Sequence, residues 1–399
     1  MSAREATHSW LAGAAAARTG DEMSGSALLL AGFALTGSTG EASALLAGIT
    51  VAAAVGGPVL GALLDRSARP GRLLALALVL YATGLAVVLL GIARLPFALV
   101  LAVSVLTGLF GPALSGGWSA QLPRVASGKR LSRATALDAM TFHTASLAGP
   151  VAAGCLAEAA GASTAVVASA ALIGCAAPAA WRLPADRGPV GTVPSGTVVA
   201  DLAEGARAIR RNPALARATV SSTVSCSAQG MLTACLPLLG AQALGGAGLG
   251  TALLSVAAVS ALAANALVAR FPGRFSAETV LGVAPLVQAV APALAATGGP
   301  AGLTAALLVV GVAEGPQLTA LFSVRHRESP EHLRGQVFTT GASLKITGFA
   351  VGAAVAGPLA SWSLPGALAA TAGTALLAVP AAFLVSPAAT SPRSARGPG

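Results

Sequence analysis

Apolar runs of roughly 20 residues, separated by short polar and basic patches, recur along almost the whole of this 399-residue chain. That is the length at which a helix crosses a bilayer, and a helix satisfies its own backbone there. The pattern predicts spans near 10–36, 42–64, 73–92, 96–120, 132–157 and 162–181. A second set is expected near 214–240, 250–270, 278–297, 301–323, 335–361 and 364–385. Between the sets lies a polar stretch, 182–213, whose first part (Leu183 to Gly196) is rich in Pro and Gly. Its second part, Val198 to Arg211, reads as a short amphipathic helix. Asp201 and Glu204 lie near its start and Arg207, Arg210 and Arg211 near its end, as the helix dipole favours.

Composition narrows the class. The chain is 55% hydrophobic and 10% charged, with mean hydropathy +0.78. A soluble domain of ordinary composition carries about 25% charged residues, so these charges cannot cover a soluble surface. A net charge of +10 could suggest a nucleic-acid partner. Here, however, the basic residues punctuate apolar spans, which argues for membrane topology and against nucleic acid. Twenty-one of the 24 Lys and Arg fall at the termini, in the central stretch or in loops of one parity. Only Arg94 falls in an opposite loop, while Arg18 and Lys345 sit inside spans. This bias places both termini and the 182–213 linker in the cytoplasm, with an even number of spans across the cytoplasmic membrane. The first span has the most polar middle, and without it the N-terminus would lie outside. Arg18, Asp21 and Glu22 also interrupt it too strongly for a cleavable signal peptide. Cys155, Cys175, Cys226 and Cys235 lie within apolar runs without metal-type spacing and are expected to be packing residues.

Three weak echoes link the two sets. Gly111-Pro112-Ala113-Leu114 is followed 204 residues later by Gly315-Pro316-Gln317-Leu318. Pro70-Gly71-Arg72 returns after 202 residues as Pro272-Gly273-Arg274, and Arg133 after 201 as Arg334. The common offset is half the molecule. It suggests two six-helix halves with a site between them near the midplane, as in transporters.

The loop after the second span reads Gly61-Ala-Leu-Leu-Asp65-Arg66-Ser-Ala-Arg69-Pro-Gly-Arg72. It resembles the signature loop of the major facilitator superfamily, G-x-L-x-D-R-x-G-R, through Gly61, Leu63, Asp65, Arg66 and Arg69, and departs from it at Ala68. The resemblance covers nearly the whole chain. It implies an all-α membrane protein of twelve transmembrane helices in two pseudo-symmetric six-helix bundles. The bundles would be residues 1–181 and 214–386, joined by the 182–213 linker, with a disordered cytoplasmic tail at 387–399. It also implies that Asp65 braces the start of the eleventh span, near Leu333 to Gln336, latching the cytoplasmic side. Gly61 would allow close helix approach, and Arg66 and Arg69 would hold the loop by charge pairs. The loop after the eighth span, 268–274, has no acid, so the latch is expected on one half only. In the fifth span, Ala148-Gly149-Pro150-Val-Ala-Ala-Gly154 is similar to part of the Gly/Pro motif of drug–proton antiporters; small residues for helix packing explain it equally well.

Ionisable residues at bilayer depth are costly and suggest function. Arg18 precedes Asp21 and Glu22 by three and four residues, so they can meet on one helix face. The fifth span carries Asp138 and His143, the tenth Glu314 and the eleventh Lys345. Asp138 and His143 are about 140° apart around a helix and should not touch. Asp138 reads as a helix-start or loop contact and His143 as a candidate proton relay. By resemblance, spans 1, 4, 7 and 10 line the cavity, placing Asp21, Glu22 and Glu314 beside the substrate path. One of these acids could carry the proton as access alternates, with Arg18 and Lys345 compensating its charge. Lys345 could pair with Glu314. Gln317, one turn from Glu314, is the leading substrate contact; Gln229, Asn265 and Gln288 are further candidates.

No Walker-type phosphate loop, HExxH or nucleophilic triad is present in the sequence, so neither an enzyme nor a direct ATP-driven pump is expected, and no cofactor or metal. The expected function is alternating-access secondary transport by a monomer, with a small-molecule substrate, protons and the bilayer as its partners. Proton-coupled efflux of a small apolar or amphipathic compound leads, because the predicted cavity spans are Ala/Gly/Leu-rich with few hydrogen-bonding side chains. A proton-coupled metabolite importer, or a transport-inactive sensor or scaffold of the same fold, are the alternatives.

Overall fold

The computed structural model describes residues 3–92, 94–184, 197–271 and 274–383, and these residues contain helices and short connections with no strand. In chain order the helices are α1 (Ala3–Thr36), α2 (Thr39–Arg66), α3 (Pro70–Ile92), α4 (Phe97–Gly108), α5 (Lys129–Ala160), α6 (Ala162–Trp181) and α7 (Val198–Arg211). Then follow α8 (Pro213–Leu244), α9 (Ala247–Ala252), α10 (Leu254–Arg270), α11 (Ala277–Ala295), α12 (Pro300–Glu328), α13 (Arg334–Trp362) and α14 (Leu364–Phe383). Nine described stretches are long and apolar enough to cross a membrane, and α14 adds a shorter apolar run, Leu364–Val379. Outside this set fall α1 and α5, whose interiors carry Arg18, Asp21, Glu22 and Asp138. The expected tail, 387–399, lies outside the described residues.

Local chemistry sets many of the boundaries. Ser38, Thr197, Asn212 and Ser276 each accept a backbone N–H of the helix they open. Pro213 follows the Asn212 cap at the first helical position, where its missing N–H costs nothing. Gly245, at φ 77°, ends α8 in the left-handed conformation. Two expected spans are not continuous. The run 96–120 is α4 followed by a π-helical turn, Ala113–Gly117, just after Pro112, which cannot donate to the preceding ladder. The run 250–270 is divided between α9 and α10. Among the sequence echoes, Gly111-Pro112 sits at this break whereas Gly315-Pro316 lies within continuous α12. Arg334 opens α13, Arg133 lies one turn inside α5, and Pro272 and Gly273 are outside the described residues.

Buried apolar residues form three clusters. The first is drawn from residues 10–183 and the second from 231–368. The third joins the two stretches through Ala120, Ala139, Ile209, Leu215, Leu321, Phe322, Val337 and Phe338. All four cysteines are free. Cys155 and Cys175 are exposed on the helix surface, not packed as expected; Cys226 is half-buried and Cys235 buried.

Helices approach to backbone contact where glycine removes the side chain. A Cβ at Gly352 of α13 would lie 2.0 Å from the Ser227 carbonyl of α8, and one at Gly315 of α12 would lie 2.4 Å from the Ala261 carbonyl of α10. Between α2 and α13, a Cβ at Gly57 would meet Ser343 Oγ at 2.0 Å and the Thr339 carbonyl at 2.6 Å. Such contacts replace the hydrophobic drive that helices lack in lipid. In the span-5 motif, Gly149 is required by packing, since its Cβ would lie 2.8 Å from Met23 N. Pro150 lies inside α5 on its exposed face, and Gly154 faces open space, so the packing expectation fails at Gly154. Gly352→Val should accordingly destabilise the protein by at least about 1–3 kcal/mol, while Gly154→Val should stay within about 0.5 kcal/mol. Thermal melting in detergent compares the two.

Candidate transport pathway

At the basic end of the bundle, α2 finishes against the start of α13. Gly335 N–H donates to Asp65 Oδ1 at 2.7 Å and Gln336 N–H to Oδ2 at 2.8 Å. First-turn amides have no intrahelical acceptor, and the positive end of the dipole favours a carboxylate. Gly61, one turn earlier, makes this approach possible, since a Cβ there would lie 2.5 Å from Gln336 Cα. Farther along, Ser343 Oγ donates to the Ala53 carbonyl at 2.7 Å. The sequence placed this brace correctly. It did not foresee that Arg66 pairs with Asp201 of α7, whose carbonyl accepts from Gln336 Nε2 at 2.8 Å. Arg66 thus ties the linker helix to the end of α2. Arg69 is exposed and makes no ion pair among the described residues, contrary to its expected role.

The Arg66 guanidinium draws the Asp201 carboxyl below its ordinary pKa of 3.8. A depressed folded pKa means that the contact contributes fully above that ordinary value and fades as pH falls through the lower one. Hydrogen exchange of α7 should therefore be protected near neutral pH and lose protection only in acid below about pH 4.

Arg18 overturns a second expectation. Its side chain turns away from Asp21 and Glu22 and crosses to α5, where Nη1 meets Asp138 Oδ1 at 2.6 Å and the Asp138 carbonyl at 3.1 Å. Nη2 donates to Ser119 Oγ at 2.9 Å, Nε to the Leu114 carbonyl at 3.3 Å, and Thr141 Oγ1 accepts a further bond. Ser119 Oγ donates to Asp138 Oδ2 at 2.7 Å, and the guanidinium lies 3.7 Å from the centre of the Phe142 ring. Asp138 is fully buried, so it is the counter-charge of a closed structural site and not a helix-start contact. In hydrocarbon, a long arginine gains more by reaching a multiply bonded acid on a neighbouring helix than one on its own face.

Freed of Arg18, the two acids of α1 take neutral partners. Tyr81 Oη donates to Asp21 Oδ1 at 2.8 Å, and Ser146 Oγ to Glu22 Oε1 at 3.3 Å. Glu22 also lies within electrostatic range of Glu314. His143 is buried with no partner at Nε2, and the charges acting on it are Glu314 and Lys345. Glu22 of α1 and His143 of α5 thus lie within electrostatic range of Glu314 of α12.

A small polar cavity opens beside Glu314, between α8, α11, α12 and α13. It is lined by Ser222, Ser225, Cys226, Gln229, Gln288, Glu314, Gln317, Leu318, Leu321 and Lys345. Gln229 Nε2 donates to Glu314 Oε2 at 2.7 Å, Gln288 Nε2 to Gln317 Oε1 at 3.0 Å, and Gln317 Nε2 to Ser225 Oγ at 3.0 Å. Only two lining side chains are purely apolar, so the expected Ala/Gly/Leu-rich wall is not what this cavity presents. Glu314 and Lys345 share it without an ion pair. Asn265 lies elsewhere, buried against Thr319 at 2.8 Å. Sequence reasoning missed Tyr81, Ser119, Thr141, Ser146 and Ser225. Tyr81 alone carried a signal, as the single tyrosine of the chain.

A helical bundle with charged and amide side chains gathered around an internal cavity defines a membrane carrier of small solutes. The Major Facilitator Superfamily profile matches residues 10–345, and the chain belongs to that family. No curated protein sequence matches. Among solved structures, the human organic anion transporter MFSD10 (TETRAN) superimposes with TM-score 0.77 at 17% identity, covering 97% of this chain and 100% of that one. A bacterial homologue of the iron transporter ferroportin, in an outward-facing state, gives 0.76 at 14%, over 95% and 99%. The E. coli fucose:proton symporter FucP gives 0.75 at 15%, over 97% and 100%. At these identities the likeness is one of fold. The chain is a multi-pass membrane transporter, not an enzyme, and its family moves solutes by secondary transport.

The Arg18–Asp138 site makes a quantitative expectation. Arg18→Met or Asp138→Asn alone should cost about 3–5 kcal/mol, since each strands a buried charge. The Arg18→Met/Asp138→Leu double variant should recover much of that loss in thermal melts.

Proposed function

We propose that this transporter couples proton movement to the efflux of a small amphipathic compound, and that Glu314 is the principal proton carrier. The observation that supports it is the set of Asp21, Glu22 and Glu314, which take neutral hydrogen-bond partners and form no ion pair among the described residues. A carboxyl without a fixed counter-ion can change protonation without stranding one. Gln317 is proposed as a substrate contact, His143 as a relay between the acids and Lys345, and Lys345 as the compensating charge.

The proposed architecture is two six-helix bundles, 1–181 and 214–386, with the 182–213 linker, both termini and the Asp65 brace on the cytoplasmic side of the inner membrane. Positive-inside asymmetry supports that orientation. The brace would be the latch of alternating access, closed in this conformation, with Gly61 permitting contact and Arg66 tying α7 into it. The working unit is proposed to be the monomer. A metabolite importer is the second reading, favoured by the many hydrogen-bonding side chains of the cavity.

Proteoliposomes with an imposed pH gradient test these readings. Extrusion of a loaded amphipathic dye that collapses with the gradient supports efflux, whereas gradient-driven uptake of labelled metabolites supports import. No flux in either direction would leave a sensor or scaffold. Glu314→Gln should abolish coupled flux while leaving the melting behaviour close to wild type; undiminished flux removes the carrier assignment.

A further inference from the structure

The two buried arginines of the core are treated differently. Arg18 is surrounded by acceptors, whereas Arg325 of α12 is only 1% exposed and its Nε and Nη2 meet no acceptor. Its guanidinium presses on α13, where a Cβ at Gly341 would lie 2.0 Å from Nη2, and sits 5.8 Å from the centre of the Phe338 ring. Lys345 reaches the polar cavity one turn farther along α13 and makes no ion pair among the described residues. Both cations, and Glu314 with them, lie within electrostatic range of Cys226, which lines that cavity. The single acid of the wall, Glu314, is occupied by Gln229. Ser225 accepts from Gln317 and so keeps its own O–H for the cavity. Lys345 is the one cation lining the cavity, and Arg325 lies behind it with guanidinium nitrogens that no acceptor meets. A buried cation without a partner is costly, so such a site is completed by an anion from outside.

We propose that this cavity binds the anionic group of the transported solute, a carboxylate or an equally small oxyanion, with Lys345 as its direct partner. Arg325 stands behind it as the second positive charge, and Ser225 supplies a neutral donor. The inference rests on the transport reading above, since it names the chemical class that reading leaves open.

Thermal melting of the purified full-length protein in detergent tests it with three probes of one shape: benzoate, neutral benzamide and cationic benzylamine. Benzoate near saturation should raise the midpoint by about 2–4 °C, with no shift from the other two. Lys345→Gln should lose the benzoate shift and Lys345→Arg should keep part of it. If Lys345→Gln does not fold, Arg325→Lys, which keeps the charge, serves beside the three-probe comparison and should retain a benzoate shift. An equal response to benzamide, a larger one to benzylamine, no response to benzoate, or a full shift in Lys345→Gln overturns the proposal. Flux of neutral or cationic solutes without a benzoate shift removes the anion site and leaves the transport reading. A benzoate shift without any flux does the reverse.

Discussion

Hydrocarbon offers no hydrogen bonds, so every polar group within this bundle must find its partner in the protein. That constraint governs the placement of Arg18, whose donors are taken by Asp138, Ser119, Thr141 and a backbone carbonyl from three separate segments. It also explains the chain of amides from Gln288 through Gln317 to Ser225, each acting as both donor and acceptor or receiving from the last. Arg325, whose Nε and Nη2 meet no acceptor, stands out against this background.

Satisfying polar groups at this density requires helices that nearly touch, and glycine supplies the room. Gly57 and Gly61 let α2 lie on α13 from Ala53 to Asp65, twelve residues and about 18 Å of helix. Without them the Asp65 carboxylate could not reach the amides of Gly335 and Gln336. The aromatic steps Phe142–Phe322 at 5.6 Å and Phe322–Phe338 at 5.7 Å fill the neighbouring contact between α5, α12 and α13. Small residues thus bring backbones together between these helices, while packed rings fill the space beside them.

Much of this was legible in the sequence. The run lengths placed α6 at 162–181 and α7 at 198–211 as the structure has them, because caps and Pro/Gly punctuation mark those ends. The Asp65 brace was legible through its motif. The partners of Arg18 were not, since spacing along one helix shows which residues share a face but not which neighbour a long, flexible side chain can reach. Arg325 reads as a loop cation in the run Arg325-His326-Arg327, yet α12 continues to Glu328 and buries it. The polar wall was hidden for a similar reason: its members come from four helices, and no single segment looks polar.

The Asp65 brace also bears on speed. If the α2–α13 contact must part once in each cycle, its two charged hydrogen bonds and the Arg66–Asp201–Gln336 clamp add to the barrier of every turnover. Each additional 1.4 kcal/mol of closure would slow opening about tenfold. A tighter clasp would make a sturdier protein and a slower carrier.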